Sequence, residues 1–340
     1  MYINTGVRAV RVAVLGATGY AGLTLLRLLS RHPEFQVESA VSEHAAGQDL
    51  NGFIPPHPRL PKRLTSPHEF DQKEPPDLVF SALGAGEGLD RMRSLLDAKS
   101  RVIDLAATFR FEAISTYERY YGRHPDPALH QRSFSGYADD PDLRYHQDRE
   151  ILGNPGCYPT AFAVAMLPIV KAVGRIDYLL VDGKSGVSGA GRSPKVHLML
   201  GEMAENVEAY NHPGKHRHTG EMETVSGGRV VFQPHLMPMR QGILLTIYWP
   251  QPLVSSDAIQ TIWQEAYGLN PFVVLHRDDK KPRTQSVRDS NLVELAVAQD
   301  QTTGTVVLYS AIDNLVKGAA GQAIQHANRW FGLDATSGLL

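Results

Sequence analysis

The first 105 residues alternate two hydrophobic patterns. Apolar runs of strand length stand at Val10–Leu15 and at 37–41, 78–83 and 102–105, and apolar residues at helical spacing fill 21–31 and 87–99. Such alternation predicts βαβ units around a parallel sheet. Residues 50–76 hold seven prolines and read as a long irregular excursion. Beyond Ile151 the texture changes. A helix at 160–173 precedes strand-like runs at 178–184, 230–233, Ile243–Trp249, 272–276, 292–298 and 305–310, with one more helix at 257–267. Runs of strands with few helices predict an α+β unit with a mixed, mainly antiparallel sheet. A final helix is expected at 314–330, and no internal repeat or low-complexity tract is evident.

Composition narrows the class. A chain of 340 residues, at about 150 per domain, points to two domains. Lys plus Arg number 34 and Asp plus Glu 36, a net charge of −2 that argues against a nucleic-acid or membrane-surface binder. The longest apolar run, 161–170, contains Pro168 and ends at Lys171, short of a membrane span, and the amino-terminal apolar segment carries Arg11 and leads into glycines, unlike a signal peptide. A cytoplasmic location is expected. The single cysteine, Cys157, excludes an intramolecular disulfide and a four-thiolate metal centre.

Two motifs carry chemistry. GATGYAG (Gly16, Ala17, Thr18, Gly19, Tyr20, Ala21, Gly22) follows a strand and opens a helix, the context in which glycines let backbone approach a pyrophosphate at a helix amino terminus. It makes the first domain a Rossmann-type dinucleotide-binding domain. At the end of the second strand, Ser42 and Glu43 leave NAD and NADP open: an acidic residue there suits the ribose hydroxyls of NAD, but Ser42 takes the strand end and Glu43 can point outward. The second motif, GNPGCYPT (Gly153 to Thr160), sets Cys157 at the start of a helix, where the dipole favours thiolate. The alternative is an inert buried thiol. A thiol nucleophile beside a nicotinamide implies interconversion of an aldehyde and an acyl derivative through a thioester. HRHTGE offers His216 and His218 for the accompanying proton transfer. The spacing of His212, His216 and His218 does not suit a metal, and none is expected. Arg110 and Arg192 are candidates for a substrate carboxylate or phosphate, since guanidinium binds either through two parallel hydrogen bonds.

GATGYAG, YYGRHP, GNPGCYPT, KSGVSGAGR, HRHTGE, FQPHLMPM and SAIDNLVKGAAGQAIQ together resemble the N-acetyl-gamma-glutamyl-phosphate reductases of arginine biosynthesis, themselves similar in architecture to aspartate-semialdehyde dehydrogenases. The resemblance covers nearly the whole chain. It implies NADP(H)-dependent reduction of an acyl phosphate with release of inorganic phosphate, Cys157 as nucleophile and His218 as acid–base, with His216 beside the substrate. It further implies that Ser185, Gly186, Ser188 and Gly189 lie along the nicotinamide and that Asn314 touches the cofactor. The carboxy-terminal helix should then return to the first domain, giving a discontinuous NADP-binding domain at 1–156 with 314–340 and a catalytic, dimerising domain at 157–313. A homo-oligomer, dimer or tetramer, is expected. An aminoadipyl phosphate, one methylene longer, is the alternative substrate, and a methylene discriminates by only about 1–3 kcal/mol. The chain departs from the family where DLSADFR becomes DLAATFR (Ala106, Thr108), where YGLPE becomes SGYAD (Ser135 to Asp139), and where Gln241 stands in place of Arg. These departures are expected to face the substrate.

Overall fold

The computed structural model describes residues 8–277 and 280–340. In chain order the first part comprises β1 (Val10–Leu15), α1 (Tyr20–Leu29), β2 (Phe35–Val41), α2 (Pro67–Asp71), β3 (Leu78–Ser81), α3 (Leu89–Asp97), β4 (Arg101–Asp104), α4 (Ile114–Tyr121), α5 (Pro127–Gln131), β5 (Ser133–Ser135) and β6 (Ile151–Gly153). Its six strands form one sheet in the order β2-β1-β3-β4-β6-β5, with every pairing parallel. Helices on both faces leave the strands no solvent side, which is why 12–15 of β1 and 78–80 of β3 are continuous apolar runs. One face buries Val12, Val14 and Phe80 under α1, and the other buries Ala13, Leu15 and Val79 under α3. The strand order reverses between β1 and β3, the position at which open α/β sheets bind ligands at their carboxyl ends.

The second part holds α6 (Cys157–Val173), β7 (Tyr178–Gly186), α7 (Leu200–Met203), β8 (Glu208–Ala209), α8 (Thr219–Ser226), β9 (Arg229–Met237), β10 (Ile243–Trp249), α9 (Ser256–Tyr267), β11 (Val273–Leu275), β12 (Val293–Gln299) and β13 (Val306–Ile312). Seven strands run in the order β11-β12-β13-β10-β7-β9-β8. Four of the six pairings are antiparallel, and β7/β9 and β11/β12 are parallel, so the sheet is mixed and mainly antiparallel. α6 lies across it, with Phe162, Met166 and Ile169 packed among Phe232, Leu245, Ile247 and Trp263. The Trp263 indole donates to the Ala165 carbonyl at 2.8 Å, so burying the ring leaves no orphaned N–H.

The chain then makes a π-turn at Val316–Ala320 and ends in α10 (Gly321–Trp330). α10 is not a continuous helix from Asn314, because Asp313 caps the backbone N–H of Leu315 and Val316 at 2.9 and 3.0 Å and the next turn widens. Ala323, Ile324, Ala327 and Trp330 share the core of β1, β3 and α1. Eight elements were not expected from sequence: α2, α5, β5, β6, α7 and β8 are two to five residues long, too short to display a period, and α4 and α8, eight residues each, span barely two turns. No helix among the described residues is long and apolar enough to cross a membrane.

Candidate active site

The glycine turn is built tightly against its own sheet. Gly16 has φ +72°, and a Cβ there would lie 2.5 Å from the Ala82 carbonyl oxygen just after β3. At Gly22 a Cβ would lie 2.3 Å from the Gly16 carbonyl oxygen, so only glycine lets α1 sit this close to β1. At Gly19 the nearest atom would be 3.5 Å away, leaving that side of the turn open. No side chain caps α1, so the leading N–H groups of Tyr20, Ala21 and Gly22 are presented to an anion with the positive end of the helix dipole behind them. Thr18 Oγ1 lies 3.0 Å from Ser42 Oγ, joining the turn to the end of β2. Ser42 is buried, whereas Glu43 is exposed. These features fit a dinucleotide phosphate.

A second glycine-rich loop follows β7. A Cβ on Gly186 would fall 2.7 Å from the Gln241 backbone, and Ser188 N–H donates to the Arg240 carbonyl at 3.0 Å. Asn314 clamps the loop from the other side: its Nδ2 donates to Ser188 Oγ at 3.0 Å and its Oδ1 accepts from Gly242 N–H at 2.6 Å. Gly189 lies between Ser185 and Asn314: a Cβ there would lie 3.4 Å from Ser185 Oγ and 3.8 Å from Asn314 Nδ2, in ordinary contact with both. Ser185, Gly186, Ser188, Gly189 and Asn314 therefore form one constellation, as expected of residues along one ligand.

Cys157 is the first residue of α6, and the turn before it is held from several directions. Asn154 N–H donates to the Asp104 carbonyl at 2.8 Å, the Asn154 carbonyl accepts from Arg110 Nε at 2.8 Å, and Gly156 N–H donates to Glu221 Oε2 at 2.9 Å. His218, immediately before α8, stands across Gly156. A Cβ on that glycine would lie 2.5 Å from His218 Nε2 and 2.9 Å from Arg110 Nη1. A Cβ on Gly318 in the π-turn would fall 2.6 Å from Cys157 Cβ. Both glycines let backbone pack closely here, against the imidazole at Gly156 and against Cys157 at Gly318, where any side chain would collide.

The electrostatics differ from the sequence expectation. Burial pushes the Cys157 thiol up to about 11, and this outweighs the opposing pull of the Arg110 charge and the Tyr158 N–H. Burial also holds His218 well below its usual range, assisted by His216 and Arg110, and lowers His216 to about 4. The resting pair is thus thiol and neutral imidazole, not thiolate and imidazolium. Because thiolate fraction grows tenfold per pH unit below the pKa, alkylation of the free enzyme by iodoacetamide should climb about tenfold per unit from pH 7 to 9 without levelling. Mass spectrometry reads this directly, since the chain has one thiol. A plateau by pH 8 would show that the helix terminus prevails over burial.

Three residues expected at the substrate have other company. Arg110 donates from Nη2 to the Leu105 carbonyl at 2.6 Å and from Nε to Asn154, and it pairs through Nη1 with Glu221 at 3.3 Å. Only its Nη1 edge, 3.5 Å from His218 Nε2, faces the thiol side. The ring of His216 is boxed by Tyr158, Tyr210 and Phe232 at centroid distances of 5.7, 5.8 and 5.1 Å, and its Nδ1 accepts the His218 N–H at 3.2 Å. It orients its neighbour. Arg192 donates from Nη1 to the Thr18 carbonyl at 2.7 Å, on the dinucleotide side of the molecule. Glu221 was not singled out by sequence, although it lies one helical turn beyond His218 in the same motif and holds both Gly156 and Arg110.

The departures from the family pattern divide: Ser135, Gly136 and Tyr137 line a cavity with Arg110, Pro155 and Glu221 beside the Cys157 turn, whereas Gln241, Asp139 and Thr108 are held by structural partners. Gln241 Nε2 donates to Asp313 at 2.7 Å and to Asp289 at 3.0 Å, while Arg240 Nε donates to Gln241 Oε1 at 2.9 Å, so the amide tethers the Asp313 cap where a guanidinium usually stands. Asp139 pairs with the fully buried Lys317 of the π-turn and accepts from Gln325 at 3.1 Å. Thr108 Oγ1 accepts from Gly86 N–H at 3.2 Å.

Comparison with known proteins agrees with this layout. The family described as semialdehyde dehydrogenase, NAD binding domain, matches residues 11–164, and semialdehyde dehydrogenase, dimerisation domain, matches residues 157–314. The chain is 40% identical to an N-acetyl-gamma-glutamyl-phosphate reductase of Nitrosospira multiformis, over 96% of each chain. It is 41% identical to one of Aromatoleum aromaticum, over 97% of this chain and 98% of the relative. Aspartate semialdehyde dehydrogenase II of Vibrio cholerae superimposes with a TM-score of 0.72 at 18% identity, covering 95% of this chain and 98% of that one. Aspartate semialdehyde dehydrogenase with NADP from Candida albicans gives 0.67 at 19% identity, covering 93% and 96%.

Proposed function

The chain belongs to the N-acetyl-gamma-glutamyl-phosphate reductase family, and from that premise we propose that it reduces N-acetyl-gamma-glutamyl phosphate to N-acetylglutamate semialdehyde and phosphate, with NADPH, in arginine biosynthesis. The observation that carries the reading is Cys157 at the head of α6 with neutral His218 across Gly156.

The chain's own groups divide the work. Cys157 Sγ attacks the acyl carbon, its proton passes to His218, and phosphate departs with the electron pair of the cleaved C–O bond, leaving a thioester. The uncapped N–H groups at the start of α6 face the developing oxyanion. The glycine turn, Ser42, the loop 185–189 and Asn314 would hold NADPH, which would supply the hydride needed to take the thioester on Cys157 to a hemithioacetal. Collapse breaks the C–S bond, and His218 returns its proton to sulfur. Glu221 stabilises the Arg110 charge and fixes Gly156, so it positions the thiol and the imidazole without touching substrate. The Nη1 edge of Arg110 is the donor this pocket offers to the leaving phosphate. That Ser42, rather than Glu43, bonds to the turn supports NADPH over NADH. The second domain is a dimerisation domain and the protein is a homo-oligomer. A cytoplasmic location goes with this reading, since the thiol must stay reduced.

The test is a steady-state comparison of N-acetylglutamate semialdehyde and its aminoadipyl homologue, each with phosphate and with NADP⁺ or NAD⁺. The highest kcat/KM should belong to the shorter semialdehyde with NADP⁺. A preference for the homologue would transfer the enzyme to the longer acyl phosphate, and a preference for NAD⁺ would mean that Glu43 reads the ribose.

A further inference from the structure

Arg192 is carried by the glycine-rich loop of the second domain, yet its guanidinium reaches the dinucleotide turn of the first. Its Nη1 donates to the Thr18 carbonyl at 2.7 Å, and the guanidinium carbon stands 5.4 Å from the centre of the Phe53 ring, which backs it against the first-domain core. Among the described residues it forms no ion pair, so four of its five N–H donors are uncommitted. The turn Gly16–Gly22 contains no cationic side chain, and the basic residue of α1, Arg27, lies in the last turn and pairs with Asp289. The turn offers an anion backbone N–H groups and a partial helix charge, and Arg192 brings a full charge beside them.

The loop that carries it explains the reach. Residues 185–189 lie beside Asn314, and after Gly191, at φ +83°, the chain turns back so that residue 192 meets Thr18. A single loop thus touches the constellation around Asn314 at one end and the phosphate turn at the other.

We infer that Arg192 is a dinucleotide clamp: it closes the second domain over the first and binds the pyrophosphate through its free N–H edge, in place of the substrate role its residue type suggested. The inference rests on the reading of the glycine turn as a dinucleotide site. Charge-assisted bonds to a phosphate are worth enough that their loss weakens binding about 10- to 100-fold.

Direct titration of the full-length protein with NADPH and with NADH, without acyl substrate, tests it, using R192M to keep the aliphatic stem on Phe53 while removing the charge. Both dissociation constants should rise by that factor, and the wild-type constants should depend more steeply on salt than those of R192M. In turnover, KM for the semialdehyde should stay within about twofold. Loss confined to NADPH would overturn the inference in favour of the 2′-phosphate. Unchanged dinucleotide binding with a raised semialdehyde KM would overturn it in favour of the substrate. Wild-type protein that bound neither dinucleotide would instead sink the reading of the turn itself.

Discussion

Cys157→Ser is expected to abolish phosphate-dependent oxidation of N-acetylglutamate semialdehyde, with a loss on the order of 10⁴-fold or more, while NADPH binds as before. The magnitude follows from removing a nucleophile that works as a unit with its base: without the covalent intermediate, what remains is binding and oxyanion stabilisation. Retained cofactor binding follows from geometry, because the side-chain hydrogen bonds that hold the glycine turn and the Ser188–Asn314 pair do not involve Sγ. The serine variant introduces no bulk beside Gly318, so its fold should be intact by circular dichroism. Undiminished turnover would remove Cys157 from the mechanism.

His218→Asn is expected to cost about 10²- to 10⁴-fold in kcat/KM, the range for a positioned acid–base group. The structure adds a reason for the upper part of that range. A thiol raised to about 11 carries almost no thiolate at neutral pH, so the attack depends on proton removal by a neighbour that is itself neutral. The deficit should therefore shrink as pH rises, because hydroxide progressively supplies the thiolate that the imidazole no longer helps to form. A loss below tenfold, independent of pH, would pass the role to His216 or to water. His216 is a poor substitute, since its Nδ1 is occupied by the His218 N–H.

The legible parts of this molecule were those in which one physical demand dominates a stretch of chain. β1 and β10 were readable to the residue because burial requires every position to be apolar or to alternate. Cys157 stood out as the single cysteine, set in a glycine-flanked turn, but only the family resemblance separated His218 from His216 before the structure placed His218 across Gly156. Arg110 and Arg192 illustrate the limit. Guanidinium chemistry is the same toward a phosphate, a carboxylate or a backbone carbonyl, and only the tertiary structure shows that Arg110 is spent largely on Leu105, Asn154 and Glu221 and that Arg192 reaches Thr18. The expected depression of the thiol pKa failed for a related reason. A helix amino terminus is visible in sequence, but the desolvation that opposes it comes from segments distant along the chain.

The position of Gly318 against the thiol bears on how the protein is made. The wall of the nucleophile's pocket lies in a turn 161 residues downstream of Cys157, and α10, which follows it, completes the core under β1 and β3. On the ribosome, the chain up to Ile312 can emerge with both sheets nearly assembled and still have an open thiol pocket and an uncovered helix-binding face. Catalytic competence therefore arrives only once Gly318 walls the thiol and α10 docks. Until then the emerging chain presents apolar surface and an unshielded cysteine, so the interval between synthesis of β13 and docking of α10 is when it most needs a chaperone and is most open to oxidation.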